Sequence, residues 1–459
     1  MAEFDITTPV ESPGAYFPQD FSIKTLNFLT ASGQRIELKK LLMEMSIYED
    51  IYSFVISGYI KLKDAQGFPE LMQLTGNEFI EVNFSKIKDD VNAEDKVFRV
   101  YKLGDRKPTG NMNSEVYTLY FCSEDLVLSE QIKISKSYSG QKISSIVENI
   151  LTDQLLIDPK RLNKIEETTG VYNFVVPRLK PFEAISWVSL YARPGAGEVG
   201  ADMLFFENSN GYNFRSLQSM FKEDVYGTYK YQAKNLGDDV QSFEEKASSV
   251  LEYEFVKTYD SLNDINAGTY ANRLVSLDPI ARTAKVTDFS YEDYKKNAIS
   301  LNDGNATNKL TNRLGINQER SFDASFKVAI GNSLQADAPY IKQAPGSVAK
   351  DIAIETYVPN RTAQIALANY TVIKATIPGD PGITVGRTID FNLYTLKPTD
   401  VAKDLDRFYS GKYLVTAVRH IIQSQGVYQT LLEIAKDSSP TSATAINQNN
   451  SDWKESVKQ

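Results

Sequence analysis

Apolar and polar positions alternate with a period of two through much of the first quarter of the chain. The runs are "FSIKTLNFLT" from Phe21, a stretch ending with Phe54, Ile56, Tyr59 and Ile60, "TGNEFIEVNF" (Thr75–Phe84), "KVFRVYKLGDR" (Lys96–Arg106) and "SEVYTLYFCSED" (Ser114–Asp125). Side chains alternate across a strand, so these runs predict short strands, and the turn signals between them predict a small antiparallel barrel over 21–130. Residues 1–20 are punctuated by Pro and Gly and predict an N-terminal arm. The period then changes. Ile143, Ile146, Val147, Ile150 and Leu151 fall at the spacing of an amphipathic helix, and "KPFEAISWVSLYAR" predicts a second, with Pro181 in its first turn and Ile185 and Val188 on its core face. The strands "DMLFFEN" and "GYNFRSL" follow, so 131–252 reads as an α/β domain.

Strands return at "LEYEFVKTYD", "AGTYANRLVSLD" and "TAKVTDFSY". Residues 296–355 are polar and rich in Asn, Asp, Ser and Ala, and read as an insertion. After the short helix "RTAQIALA", strand patterns resume up to residue 437. Segments 253–295 and 356–437 together predict a second β-barrel, discontinuous in sequence. The fold class expected is α+β, β-rich. Two similar antiparallel β-barrels flank an intervening α/β domain, with an insertion in the second. Residues 438–459 lack a core pattern apart from Trp453 and predict a flexible C-terminal tail.

A spacing supports the likeness of the two barrels. Gly76 opens one strand and Val116 lies in a later one, 116 − 76 = 40 residues on; Gly386 and Val427 stand in the same relation, 427 − 386 = 41. The second of these pairs ends in a hairpin signal, two extended runs around Gln423–Gly426. That hairpin carries His420, the one histidine of the chain. It reads as a histidine near a strand end, sharing a face with Leu414, Thr416, Val418 and Ile422. No His, Cys or carboxylate stands near it at metal-ligand spacing.

Composition narrows the function. The length of 459 residues suits three or four domains, and 42% hydrophobic residues support true cores. A net charge of −9 argues against broad nucleic-acid binding, which needs an excess of Lys and Arg. The lone cysteine, Cys122, excludes an internal disulfide and reads as a small packed side chain. No run reaches the roughly 18 apolar residues of a membrane span, and the N-terminus lacks the pattern of a secretory signal, so synthesis in the cytoplasm without membrane insertion is expected. "GAGEVG" (Gly195–Gly200) matches a dinucleotide fingerprint in letters, but a helix precedes it and a strand follows, the reverse of the order the mechanism needs. No phosphate loop or nucleophile elbow occurs. The acids of "YED" (Tyr48–Asp50) and "SED" (Ser123–Asp125) read as solvated groups at strand boundaries. No catalytic, metal or cofactor residue is assigned, and no enzyme is expected.

Taken in order along the chain, several stretches resemble a known family. "IYEDIYSFVISGYIKLKDAQGFPELMQLTGNEFIEVNF", "FRVYKLGDR", "SYSGQKISSIVENIL", "RLKPFEAISWVSLYAR", "TVIKATIPGDPGITVGRTIDF" and "SGKYLVTAVRHIIQSQGVYQTLLEIAKD" resemble the central baseplate hub protein of contractile-tailed bacteriophages, which is related to phage late-control proteins and to the hub part of type VI secretion spikes. The resemblance spans most of 21–437. It implies a structural homotrimer whose two barrels per chain make a pseudo-hexameric ring, joining a hexameric tail tube to a trimeric central spike. The implied partners are further copies of the chain, the spike, tail-tube or tube-initiator proteins, other baseplate proteins, and genomic DNA passing through without sequence-specific binding. The implied location is the virion tail baseplate, after assembly in the host cytoplasm. Trp453 is the candidate partner contact in the tail. The competing reading is a β-rich, tail-associated cell-wall hydrolase or carbohydrate-binding component.

Overall fold

The structure is a computed structural model that describes residues 21–72, 74–86, 96–110, 114–195, 202–231, 247–278, 282–291, 294, 298–302, 325–326, 357–394, 405–406, 408–424 and 426–439. It is β-rich, and most of its strands belong to one large, mainly antiparallel sheet. The N-terminal strands are β1 (Phe21–Leu29), β2 (Arg35–Glu37), β3 (Leu42–Asp50), β4 (Ser57–Asp64), β5 (Phe79–Lys86), β6 (Lys96–Pro108) and β7 (Glu115–Cys122). They form where period-two alternation was read. In β4, Gly58, Ile60 and Leu62 face inward while Tyr59, Lys61 and Lys63 face out. Their core gathers Leu26, Phe28, Ile60, Ile80, Phe98 and Leu119.

The middle unit contains β8 (Ser137–Gln141), β9 (Leu162–Ile165), β10 (Tyr172–Val175), β11 (Met203–Asn208) and β12 (Gly211–Ser216). The predicted apolar face from Ile143 to Leu151 is fully buried. Its helix runs from Ile143 to Asn149 and then widens into a π turn, Ile150–Gln154, with Leu155 N–H donating to the Ile150 carbonyl at 3.2 Å. Pro181 opens the second helix, Pro181–Ser189.

The C-terminal unit contains β13 (Val225–Tyr231), β14 (Glu252–Lys257), β15 (Ala271–Asp278), β16 (Thr283–Ser290), β17 (Ser325–Phe326), β18 (Thr371–Pro378), β19 (Thr388–Leu393), β20 (Gly411–Gln423) and β21 (Val427–Lys436). Three features differ from the sequence reading. Strand β13, expected in the α/β domain, pairs parallel with β19 and sends Tyr229 into the core of the C-terminal strands. Strands β15 and β16, expected in the second barrel, form a hairpin in a separate three-stranded sheet with β17. Alternation shows that a segment is a strand but not which sheet it joins: β13 finds its partner β19 far along the chain, and the local β15–β16 hairpin is extended by β17 rather than by the large sheet. The third difference concerns the tail. Ser438 and Ser439 are buried, and the Ser438 hydroxyl accepts the Asn302 N–H at 3.0 Å.

The spacing repeat is real at the level of strand pairing. β4–β7–β6–β5 are neighbours in that order, and so are β18–β21–β20–β19. The two series agree in detail. Gly76 and Gly386 both take positive φ, +87° and +81°. Val100 N–H donates to the Glu78 carbonyl and Val415 N–H to the Arg387 carbonyl, both at 2.9 Å. A register shift follows each valine, between Val100 and Lys102 in β6 and between Val415 and Ala417 in β20. A bulge bends and twists its strand, so the two series curve at the same place.

Candidate functional site: the seam between the two strand series

β3 joins the N-terminal strands to the C-terminal ones. Its outer edge pairs antiparallel with β20 from Ala417↔Asp50 to Gln423↔Glu44. His420 lies in this seam, opposite Ile47 on one side and Thr430 on the other. It lies three residues before the end of the 13-residue β20, as the sequence suggested, and it is 4% exposed. From Val418 onward it shares an inward face with Val418 and Ile422, but the shift at Val415 breaks the alternation with the residues before it. The imidazole Nδ1 sits 2.9 Å from the Tyr428 hydroxyl and 3.4 Å from that of Thr430, and its ring packs near Phe84. Burial holds its pKa down at about 4, with Asp380 opposing. At neutral pH the ring is uncharged, and both hydroxyls can donate to it.

Glu49 stands beside this seam. Its Oε2 accepts the Thr384 hydroxyl at 2.6 Å and the Val385 N–H at 3.3 Å. Burial pushes its carboxyl above the usual range, opposed by Lys96 and by these hydrogen bonds. The sequence suggested solvated acids at Tyr48–Asp50 and Ser123–Asp125. Instead Glu49 is 3% and Asp125 5% exposed, because a third unit closes over them.

That unit is the β11–β12 hairpin. Glu207 accepts the Ile56 N–H at 3.0 Å, the Ser123 hydroxyl, and Arg161 Nη2 at 3.1 Å. Asp125 accepts Arg161 at 2.6 Å and the Tyr212 hydroxyl at 2.8 Å. Burial raises the pKa of Glu207, while Ser123, Ile56 and Arg161 act against it. Asn208 donates to the Val385 carbonyl at 3.2 Å, and Lys96 Nζ to the Ser209 carbonyl at 2.6 Å. One turn thus ties together the N-terminal strands, the middle unit and the C-terminal strands. Buried charged groups of this kind hold a geometry only when every partner is present.

The outward face of the sheet carries a second feature, a groove of about 630 Å³ lined by Glu44, Tyr48, Tyr59, Tyr101, Asp105 and Tyr120 among others. The rings form a row, with centroids 6.2 Å apart for Tyr48–Tyr59 and Tyr59–Tyr120 and 6.4 Å for Tyr101–Tyr120. Tyr59 donates to Glu44 and Tyr120 to Asp105, which fixes the rings. Arg419 lies over Tyr48 and Lys102 over Tyr120. Local alternation could have placed each tyrosine on an outward face, but only the pairing brings four strands' rings into line.

The remaining candidates separate. Cys122 is buried, and burial pushes its thiol up to about 11. Of "GAGEVG", residues 196–200 lie outside the described residues, as does Trp453. Among the described residues no cluster of three His, Cys, Asp or Glu could hold a metal ion, and no helix is long and apolar enough to cross a membrane.

The fold defined by these sheets is similar to that of a tail protein of known structure. The tail protein of Neisseria meningitidis MC58 aligns over 91% of this chain and 97% of its own, with a TM-score of 0.51 at 8% identity. The 43 kDa tail protein of prophage MuSo2 from Shewanella oneidensis aligns over 90% of this chain and 98% of its own, with a TM-score of 0.48 at 8% identity. In sequence, the chain is 25% identical over 454 residues to the probable baseplate hub protein gp334 of Vibrio phage KVP40, covering 97% of this chain and 99% of that protein. No protein-family model matches the chain. The resemblance to phage baseplate hub proteins therefore extends end to end.

Proposed function

We propose that this chain is a structural subunit of a phage tail baseplate hub, located in the virion. The observation that carries the reading is similarity to a probable baseplate hub protein over 97% of this chain and 99% of that relative. The finer reading is a trimer whose two strand series per chain present six nearly equivalent units. Such a ring matches a hexameric tail tube on one side and a trimeric spike on the other. The agreement of the two series in pairing order, glycine conformation and bulge position supports this use. Closed rings of identical chains are the usual outcome of a repeated contact. Other baseplate proteins bind its periphery, and DNA passes through the ring without base readout. The N- and C-terminal strand series each close as a barrel, the middle unit intervenes between them in sequence, and residues 440–459 with Trp453 reach a partner.

The hydrolase reading asks for a protonated acid and an ionised partner flanking an open cleft. Of the acids that burial drives toward the protonated form, Glu49, Glu207 and Asp437 are sealed within the fold, and the half-buried Asp50 is engaged by the Tyr52 N–H. Glu44 and Asp105 in the open groove are engaged by tyrosine hydroxyls.

Native mass spectrometry of hubs released from purified particles tests the function. The expected mass is that of three chains, found only in particles with baseplates. A chain absent from tails, or present there as a monomer, overturns the reading.

A further inference from the structure

The two strand series are joined through one contact whose counterpart is left unused. In the contact that forms, the outer edge of β3 pairs with β20 beyond its bulge. In the other series the counterpart of β20 is β6, and the counterpart of β3 is β14. β6 pairs with β5 only from Lys96 to Arg99, while β7 covers its opposite edge as far as Pro108. Among the described residues, the edge of β6 from Lys102 onward is therefore unpaired. Among the described residues β14 ends the large sheet and pairs only with β18. Eight strands in the order β14–β18–β21–β20–β3–β4–β7–β6 separate the two edges, about 34 Å along the sheet at about 4.8 Å per spacing.

We propose that β14 of one copy adds to the free edge of β6 in the next copy, head to tail. Each contact between copies then repeats the β3–β20 contact inside the chain. This rests on the ring reading above and names the surfaces that close the ring.

The repeat gives the register when it is carried along β7, past a second register shift in β6 between Gly104 and Lys107 that β20 lacks. Glu254 lies opposite Lys374, which lies opposite Glu433; Ser46 lies opposite Tyr59, which lies opposite Tyr120. Glu254 is thus the counterpart of Ser46. Ser46 pairs with Ile421, which faces Gln429, four residues before Glu433 (433 − 429 = 4). Four residues before Tyr120 is Val116 (120 − 116 = 4), and Val116 faces Lys107. Glu254 of one copy is therefore brought across from Lys107 of the next.

Charge agrees with that register. The solvent side of β14 shows Glu252 and Glu254. The free half of β6 shows Lys102, Arg106 and Lys107, with one acid, Asp105, that accepts the Tyr120 hydroxyl. Arg106 is held by Glu70 and Glu115, but neither Lys102 nor Lys107 makes an ion pair among the described residues. An unprotected edge strand is an aggregation hazard, and pairing it with a matched edge removes that hazard. The two edges differ, so the contact is heterologous and propagates until it closes.

The test is a double variant, Glu254→Cys with Lys107→Cys; native Cys122 is buried and stays out of reach. Facing strand residues lie within disulfide range. Mild oxidation of the purified chain, and of particles assembled with the variant, is expected to give covalent dimers and trimers on a non-reducing gel. Each single variant alone gives monomers, and a mixture of the two gives linked pairs. In a second arm, Lys107→Glu weakens association at low salt and the added Glu254→Lys restores it. Trimers that form without cross-linking overturn the strand addition and leave the ring reading intact. A chain that stays monomeric inside assembled particles overturns both.

Discussion

Glu49 and Thr384 are 335 residues apart in sequence, and the Thr384 hydroxyl donates to the Glu49 carboxylate at 2.6 Å. The Val385 N–H shares the same oxygen. Glu49→Ala removes the acceptor from both buried donors and is expected to cost about 2–4 kcal/mol. Glu49→Gln keeps an acceptor and stays within about 1 kcal/mol of the parent. Urea unfolding of the two variants checks this order.

The same carboxyl gives a pH signature. Its pKa is raised on folding from the ordinary 4.5, because burial disfavours the charge. Its contribution is complete below 4.5 and declines as pH rises, since the unfolded chain gives up its proton first. The stability of Glu49→Gln relative to the parent should therefore increase between pH 4.5 and pH 8. A difference that shrinks over that interval contradicts a carboxyl whose pKa burial raises.

His420 predicts the opposite slope. Its pKa falls from 6.5 unfolded to about 4 folded, so the unfolded chain binds the extra proton in that window. Stability is complete above 6.5 and is lost as pH falls toward 4, by up to about 3 kcal/mol at about 1.4 kcal/mol per pH unit. His420→Gln retains a partner for the Tyr428 hydroxyl and removes the slope. Denaturation midpoints at pH 7 and pH 4.5 distinguish the two proteins. His420→Ala additionally leaves a space beside Phe84 and Tyr428, and is destabilised at both pH values.

The paired glycines separate backbone strain from crowding. Both take positive φ, where a side chain costs about 1–2 kcal/mol. Around Gly76 an added Cβ meets nothing closer than the Val100 carbonyl at 4.0 Å, whereas at Gly386 it meets the Phe206 ring at 3.0 Å and Met220 Sδ at 3.2 Å. Gly386→Ala is expected to lower the melting temperature more than Gly76→Ala. Equal losses count against the tighter packing under the C-terminal series.

What the sequence revealed follows from what burial imposes locally. β1, β4, β5 and the first half of β6 were legible because one face of each is buried and side chains alternate. The repeat was legible because Gly76 and Gly386 have a backbone duty that a letter records. β13 was not, since its partner β19 lies 163 residues on (Val225↔Thr388, 388 − 225 = 163) and a parallel pair carries no hairpin signal. Glu49 and Asp125 looked like ordinary surface acids because the hairpin that buries them comes from elsewhere in the chain. The groove escaped for the same reason: each tyrosine is visible singly, and the row exists only across strands.

The chain end offers a last prediction. The Asp437 carboxylate accepts the Leu301 N–H at 3.1 Å, the Ser438 hydroxyl accepts the Asn302 N–H at 3.0 Å, and Asn302 Nδ2 donates to the Ser438 carbonyl at 3.0 Å. The Ser439 hydroxyl donates to the Phe408 carbonyl at 3.2 Å. Residues 437–439 therefore belong to the folded body, and the tail proper starts later than residue 438. Deleting 440–459 should leave the melting temperature near that of the parent while weakening hub assembly, as Trp453→Ala should in smaller measure; tryptophan is a common interface anchor. Deleting 437–459 also strips buried partners from Leu301 and Asn302, and should cost a further 2–3 kcal/mol or about that. Melting curves and the yield of assembled hubs from the two truncations check both halves. A 440–459 deletion that assembles as well as the parent removes Trp453 from the interface, and equal melting temperatures for the two truncations remove the clamp.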